Sequence, residues 1–304
     1  MSTDAVLREL LVRQLDHWLP AALHRARRAT LALAYAGGDA KGDAAGAEEA
    51  LRVVAEFADR LRGRRLTVLV VADDGTDLPA RLGAAEAALP ADVAVHLVPG
   101  GPDRLPVALK AAGAAGAPLL VVADGADPDP ALLAAAASGR PAELLLVTAP
   151  GRSLRPALTG AGFPLVTEVE LVPDGDGPAR LLGYATGSDR GLEAVKEALW
   201  AVDEYAGVRY RDPADPQGRL LDISLEPEPG PLRRELLAEL ARSGPRTVTE
   251  LRRFATTSTV YRAADANRAL ASLLASGAVT RDPEHGRLGG DVSISAVPSA
   301  GSSV

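Results

Sequence analysis

The stretch "LALAYAGGDAKGDAAG" (31–46) joins an apolar strand-like segment directly to a glycine-rich loop. Domains that bind nucleotides on an α/β sheet place their phosphate or cofactor loop at this kind of junction. Glycine suits such a loop because it lacks a Cβ and lets a ligand approach the backbone. The stretch therefore raises the hypothesis of a cofactor site behind the first strand.

Four more apolar segments repeat the pattern further along the chain. Alanine- and leucine-rich stretches of helical length separate them, at about 44–62, 78–89, 103–114 and 129–138. Strands that are apolar throughout and alternate with helices indicate a parallel sheet covered on both faces, a doubly wound α/β fold. The predicted strands are "TLALAY" (30–35), "LTVLVVA" (66–72), "DVAVHLV" (92–98), "PLLVVAD" (118–124) and "AELLLVT" (142–148).

The segment "LVTEVELVPDGDGPARLLGYAT" (165–186) changes the pattern, because its Asp-Gly-rich centre predicts an antiparallel hairpin. Five parallel strands followed by an edge hairpin resemble the sheet of class I methyltransferases. The predicted fold class is therefore α/β, with a class I methyltransferase-like Rossmann sheet over residues 29–229.

Two further segments flank this sheet. Residues 1–28 predict an amphipathic helix, with Pro20 starting or kinking a second segment. After the proline-rich break "LEPEPGP" (225–231), three helices and two short strands predict a C-terminal winged helix domain over 230–296. The tail 297–304 is predicted to be disordered.

Composition excludes several classes of chemistry. The 304 residues suggest about two domains, and the absence of cysteine excludes disulfides, thiolate nucleophiles, iron–sulfur clusters and Cys-based zinc sites within this chain. The four histidines show no metal-ligand spacing, so no metal site is predicted. No apolar run reaches the roughly 18 residues of a membrane helix, and no signal-peptide layout is present, which predicts a cytoplasmic protein that does not enter the membrane.

The strand ends supply candidate residues for S-adenosylmethionine, the cofactor of the methyltransferase sheet. The first loop would accommodate the methionine part, an acid after the second strand would accept from the ribose, and a residue after the fourth would lie near the transferred methyl. The candidates for cofactor binding are Tyr35, Ala36, Gly37, Gly38, Asp73 and Asp74, and the catalytic candidate is Asp124. Solvated turn and helix-cap acids are the competing explanation for each position.

The segment "GYATGSDRGLEAVKEALWAVDEYAGVRYRDP" (183–213) resembles the three-Cys-motif partner family. These are methyltransferase-like bacterial proteins named for a neighbouring radical-SAM-like protein with three cysteines. The family's Gly-Leu, Met-Lys, Met-Trp pattern is matched by Gly191, Leu192, Lys196 and Trp200, with valine and leucine replacing the methionines. Its first-loop motif is matched in part by Tyr35, Ala36 and Gly37, and its fourth-strand Asp-Pro-Phe-Gly motif by Asp124 and Gly125.

The sequence departs from that family at the cofactor positions. Leu33 stands where the family has an aspartate, Asp39 replaces the second glycine of the first loop, and Gly125-Ala126 replaces Pro-Phe. A carboxylate within the loop would oppose the cofactor's own carboxylate. The sequence therefore favours a scaffold or partner protein with a degenerate S-adenosylmethionine site. A working methyltransferase acting on nucleic acid or protein, and a DNA-binding regulator, are the alternatives.

The charge of the predicted winged helix domain bears on its partner. After Gly230 there are ten arginines and seven acids, a net charge of +3. Because the whole chain has a net charge of −7, the first 230 residues carry −10. Its third helix is predicted to point Asp265, Arg268, Ser272 and Ser276 outward, a nearly neutral face that favours protein contact over DNA. The predicted contacts to a partner or nucleic acid are Arg252, Arg253, Arg262, Arg268 and Arg287.

Overall fold

The computed structural model describes residues 3–36, 40–73, 77–202 and 206–297, and of residues 40–44 the backbone alone. The chain divides between Ser224 and Leu225 into two compact units. This division lies at the start of the proline-rich segment 225–231, slightly before the predicted boundary at 229/230. The first unit is a Rossmann-like α/β domain built on a large mixed sheet.

The sheet of the first unit has nine strands in the order β3-β2-β1-β4-β5-β7-β6-β8-β9. Strands β1 to β5 pair in parallel, and β7 lies antiparallel between β5 and β6. The strands are β1 (Arg28–Tyr35), β2 (Arg65–Ala72), β3 (Val93–Pro99), β4 (Leu119–Asp124), β5 (Ala142–Thr148), β6 (Leu165–Pro173), β7 (Arg180–Thr186), β8 (Val208–Arg211) and β9 (Leu220–Asp222).

Helices cover both faces of this sheet, as the uniformly apolar strands predict. They are α1 (Thr3–Arg25), α2 (Ala40–Glu56), α3 (Ala58–Leu61), α4 (Leu78–Glu86), α5 (Leu105–Ala111), α6 (Pro130–Ala136), α7 (Arg155–Gly160) and α8 (Asp189–Ala201). Ala32 and Ala34 of β1 belong to the core formed with α5, α6 and α7. Helices α1, α2 and α8 pack together on the opposite face.

Local signals fix where individual helices begin. The Asp129 carboxylate accepts hydrogen bonds from the amides of Ala131 and Leu132, at 2.9 and 3.0 Å, and Pro130 occupies the first position of α6. Ser188 caps α8 in the same way by accepting from the Gly191 amide at 3.2 Å. Both caps satisfy amides that have no partner within the helix.

Two expectations for this unit are wrong. Pro20 does not start a separate segment, because α1 runs from Thr3 to Arg25 with Pro20 inside it and packs against α2 and α8 as part of the unit. The β6–β7 hairpin is not at the sheet edge, since β7 inserts beside β5 and the short strands β8 and β9 extend the sheet beyond β6. Segments of three and four residues carry too little periodicity to be recognised as strands.

The second unit combines three helices with a three-stranded sheet in the order β10-β12-β11. Its elements are α9 (Gly230–Ser243), β10 (Arg246–Thr247), α10 (Val248–Ser258), α11 (Ala263–Ala275), β11 (Val279–Asp282) and β12 (Ser293–Ala296). The sequence predicts all three helices and both longer strands, and these are confirmed. Thr247 and Glu250 form a capping box at the start of α10, each side chain bonding the other's backbone amide.

Candidate functional site

The candidate site lies at the carboxyl edge of the parallel strands, where the sheet order reverses between β1 and β4. Tyr35 of β1 lies opposite Asp124 of β4, and the Ala36 amide donates to the Asp124 carbonyl at 2.9 Å. Ligands of open α/β sheets bind in the crevice outside such a reversal. Gly37, Gly38 and Asp74, three of the cofactor candidates, lie outside the described residues, as does Asp39.

Tyr35 is a packing residue at this edge. Its side chain is buried, and a Cβ placed on Gly46 of α2 would lie 2.9 Å from its hydroxyl oxygen. Gly46 therefore allows the ring to fit beneath α2. The Tyr35 ring is therefore enclosed beside α2 and is not exposed at the strand end.

Ala36 is exposed and lies against the loop that follows β4. Gly125 has a φ of +73°, and a Cβ there would come within 2.9 Å of the Ala36 Cβ. Only glycine combines this left-handed conformation with this close approach at low cost. The absence of a side chain at Gly125 therefore allows the loops after β1 and β4 to run side by side at the reversal.

Asp73 follows β2 at the same edge and is exposed to solvent. The strand before it is fixed by parallel pairing on both sides, up to Ala72, whose carbonyl accepts from the Gly100 amide at 3.1 Å. Among the described cofactor candidates, Asp73 is the one whose carboxylate is accessible at the expected strand end.

Asp124 is bound to Arg180, a residue that the sequence analysis missed. The two side chains form a short charge-assisted hydrogen bond and are 27% and 23% exposed, respectively. Burial raises the pKa of the Asp124 carboxyl, and the neighbouring Arg180 opposes that rise without cancelling it. The carboxylate proposed as catalytic is thus half-buried and already engaged.

The topology explains why this partner was missed. Arg180 opens β7, which runs antiparallel to β5 and so begins at the edge where β4 ends. The two residues are 56 positions apart in the sequence. The hairpin turn "PDGDGPAR" was the available signal, because it returns the chain to that edge with an arginine just beyond the turn.

A second buried polar cluster lies at the opposite, amino end of β5. Glu143 accepts hydrogen bonds from the Gln14 side-chain amide at 2.8 Å and from the Tyr184 hydroxyl at 2.7 Å. A Cβ on Gly191 of α8 would meet that hydroxyl oxygen at 2.8 Å. The cluster joins α1, β5, β7 and α8, and it is part of the packing rather than of the crevice. None of its residues was predicted from the sequence as a site residue.

Burial raises the pKa of the Glu143 carboxyl, and the two hydrogen bonds that favour its charged form do not offset that effect. The folded pKa is therefore above the unfolded value of about 4.5. Stability from this group is complete below the unfolded pKa and is lost as pH rises through the folded pKa. Burial raises the pKa values of Asp124 and Asp212 in the same direction.

We expect the replacement Glu143→Gln to weaken the fall in melting temperature between pH 5 and pH 7.5. The glutamine removes the buried ionisation that opposes folding at the higher pH. Differential scanning calorimetry at both pH values measures this difference, with Glu193→Gln, an exposed position on α8, as the matched control. An unchanged pH dependence in Glu143→Gln would show that this carboxyl does not contribute to it.

In the second unit, the five predicted contact arginines have three different environments. Arg253 and Arg287 are exposed, whereas Arg252 donates to the Asn267 side chain of α11 at 2.7 Å. Arg262 and Arg268 both bind the Asp265 carboxylate, at 2.9 and 2.6 Å. Three of the five are therefore engaged within the unit.

The prediction that Asp265 faces outward is wrong. Its side chain is buried, and it also accepts from the Arg262 backbone amide at 2.9 Å, which caps α11. The helical periodicity placed Asp265 opposite the leucines, but the first turn of α11 folds its acid back onto Arg262. A carboxylate that satisfies a capping amide and two guanidinium groups is stable inside the unit.

Another arginine of the second unit, Arg281, is bound to the loop between β11 and β12. Arg281 donates to the backbone carbonyls of Pro283, Gly286 and Arg287 at 2.9 to 3.1 Å. Its guanidinium thus holds the loop in shape. Exposed acids Asp282 and Glu284 lie on the same loop and would repel phosphate.

Comparison with known proteins gives no family assignment: no protein-family model matches the chain, and no curated protein matches its sequence. Within the described residues, no group of three or more His, Asp and Glu side chains is arranged to hold a metal ion. No helix of the described part of the chain is long and apolar enough to cross a membrane.

Proposed function

We propose that the protein is a methyltransferase-like partner or scaffold protein with a degenerate cofactor site. The order β3-β2-β1-β4-β5-β7-β6, with β7 antiparallel, is that of class I methyltransferases and supports this class. Fold analogy alone does not give the chemistry. The side chains at the carboxyl edge bear on the chemistry more directly than the fold does.

The bond between Asp124 and Arg180 is the observation that carries the proposal. An acid after the fourth strand would have to face a substrate in order to act near a transferred methyl. In this protein it binds the Arg180 guanidinium instead. The described residues therefore do not fit S-adenosylmethionine as a methyl donor at Asp124, and no catalytic step is assigned to it.

The second unit supports a role in protein contact. Its order of helices and strands, with β12 pairing between β10 and β11, resembles that of a winged helix domain and supports this part of the proposal. The arginines of its third helix and of its wing are largely bound to Asp265 and to backbone carbonyls. This arrangement favours a protein partner over DNA. The family resemblance supplies the partner class, a radical-SAM-like protein with three cysteines.

The competing function is an active S-adenosylmethionine-dependent methyltransferase, and the exposure of Asp73 favours it. An accessible carboxylate after the second strand is what the ribose hydroxyls of that cofactor require. The retained acid in the proposed scaffold is a feature of the shared fold, where acids commonly end strands.

Isothermal titration of the full chain with S-adenosylmethionine tests the proposal. We expect no binding in the micromolar range, for the parent protein and for Asp73→Ala alike. The matched control is Asp77→Ala, which removes an exposed carboxylate four residues further on. Micromolar binding that Asp73→Ala abolishes and Asp77→Ala retains would overturn the scaffold proposal in favour of the methyltransferase.

A further inference from the structure

The amino edge of the main sheet carries a concentration of arginine that the crevice does not use. Two runs of sequence, 24–28 and 60–65, meet there because β1 and β2 are neighbouring parallel strands. Arg28 lies opposite Arg65 in the strand register, and the Arg65 amide donates to the Arg27 carbonyl at 2.7 Å. We call this region the arginine edge; its exposed members are Arg25, Arg27, Arg28, Arg60, Arg62 and Arg65.

Most of these side chains form no salt bridge within the described residues. Within the described residues, the one salt bridge among these six arginines joins Arg62 to Asp59 at 3.1 Å, and both of its side chains are more than 80% exposed. Such a pair contributes little, because water screens it and both side chains lose entropy. Arg28 donates to the Ala115 carbonyl at 3.3 Å, and Arg60 lies over the Phe57 ring, but neither contact neutralises charge.

Helix ends account for only part of the arginine edge. Arg25 and Arg60 lie in the last turns of α1 and α3, where a cation complements the helix dipole. Arg27, Arg62 and Arg65 lie beyond those turns. The separate Arg64 is engaged with the Ala26 carbonyl at 3.2 Å, so backbone capping at this junction is already provided.

Among the described residues, two acids lie beside the arginine edge and are outnumbered by its six arginines: Asp59 pairs with Arg62, and Asp92 accepts from the Gly63 amide at 3.3 Å. Exposed acids follow the strands at the carboxyl edge: Asp73, Asp77, Asp103, Asp127, Asp129 and Asp176. Strands of six to eight residues separate the two edges by about 20–25 Å. This separation exceeds the Debye length of about 8 Å at physiological salt, so the acids of the carboxyl edge do not cancel the positive potential near the arginine edge.

The geometry points to the arginine edge as a binding site for the phosphodiester backbone of a nucleic acid. Guanidinium groups bind phosphate bidentately, and such binding needs no apolar anchor. A protein interface generally has an apolar core, and the exposed large hydrophobic residues of the described chain, Val107, Leu220, Leu225 and Val297, all lie outside both runs. The site differs from the predicted one, which lay in the second unit.

Fluorescence anisotropy with the full chain tests this site. The probes are a labelled 20-mer duplex, the corresponding single strand and an RNA of the same sequence, with polyglutamate as the acidic-protein probe. The test variant combines Arg27→Ala, Arg62→Ala and Arg65→Ala. The matched control combines Arg152→Ala, Arg234→Ala and Arg242→Ala, three exposed positions outside the arginine edge with the same change in charge.

We expect the parent protein to bind at least one of the nucleic acids at 50 mM salt, and the test variant to bind it at least tenfold more weakly. For a duplex, the slope of log affinity against log salt should fall by up to about 3, since each lost phosphate contact contributes about 0.9. Lysine at the same three positions should retain most of the affinity, and the control variant should bind like the parent.

Three results would overturn the proposal: no nucleic-acid binding by the parent even at 20 mM salt, an equal loss in the control variant, or polyglutamate binding as tight as that of the best nucleic acid. The last result would indicate an acidic protein instead. Equal melting temperatures of parent and test variant establish that a loss of binding is not a loss of fold.

Discussion

Replacing Asp265 with alanine is expected to destabilise the second unit by about 3 to 5 kcal/mol. The buried carboxylate accepts from the backbone amide and guanidinium of Arg262 and from Arg268. Arg262 is itself only 11% exposed, so truncating the acid removes a buried carboxylate from beside a largely buried guanidinium group. A unit of this size is expected to have a total stability of roughly 4 to 12 kcal/mol, so the loss would be a large part of it.

Hydrogen exchange of the full chain measures this loss locally. The amides of α11, such as those of Leu270 and Leu273, should exchange faster in Asp265→Ala, while those of α8 in the first unit should not change. Glu284→Ala removes an exposed acid from the same unit and should leave α11 protected. Unchanged protection of α11 in Asp265→Ala would contradict the structural role assigned to this carboxylate.

Replacing Trp18 with alanine is expected to destabilise the first unit by about 3 to 5 kcal/mol. Trp18 is 1% exposed, and α1 contacts α2, α8, β1 and β6, so the truncation leaves a large cavity inside the packed layer. A separate N-terminal segment would tolerate this change. The expected result therefore tests whether α1 is an integral part of the first unit.

Urea unfolding followed by Trp200 fluorescence reports on the first unit in this variant. Trp200 remains in α8, packed edge-on against Tyr210 with ring centroids 5.5 Å apart. The matched control is Asp16→Ala, an exposed position on the same helix, which should shift the urea midpoint little. A Trp18→Ala midpoint equal to that of Asp16→Ala would mean that α1 contributes no packing to the unit.

The strands illustrate how much of the fold follows from local sequence. The five parallel strands are predicted within two residues of their observed ends, since each is apolar throughout and bounded by loop residues. The helices of the second unit are equally clear, because Gly244 and Gly277 follow the last turns of α9 and α11. In contrast, β8 and β9 are too short to show a period, and only their pairing in the sheet, β8 with β6 and β9 with β8, creates them.

The position of the candidate site was predictable from the sequence, but the contacts of its side chains were not. The sequence places Asp73 and Asp124 at strand ends, and the structure brings both to the carboxyl edge. The sequence could not show that Arg180 binds Asp124, because that contact depends on β7 inserting beside β5. Periodicity likewise placed Asp265 outside, whereas its contacts with Arg262 and Arg268 bury it.

The sequence by itself determined the α/β class of the first unit, the run of helices in the second and the acids and glycines that end the strands. These features depend on the residues within one element and its turns, so local patterns contain them. Only the tertiary structure decided which charges are available. Whether a charged side chain is free to bind a ligand depends on neighbours that are distant in sequence. The stretch 31–46 predicts a cofactor loop, but Arg180 determines whether the Asp124 carboxylate beside that loop is available. The same physical reason brings two separate arginine runs together at the opposite edge.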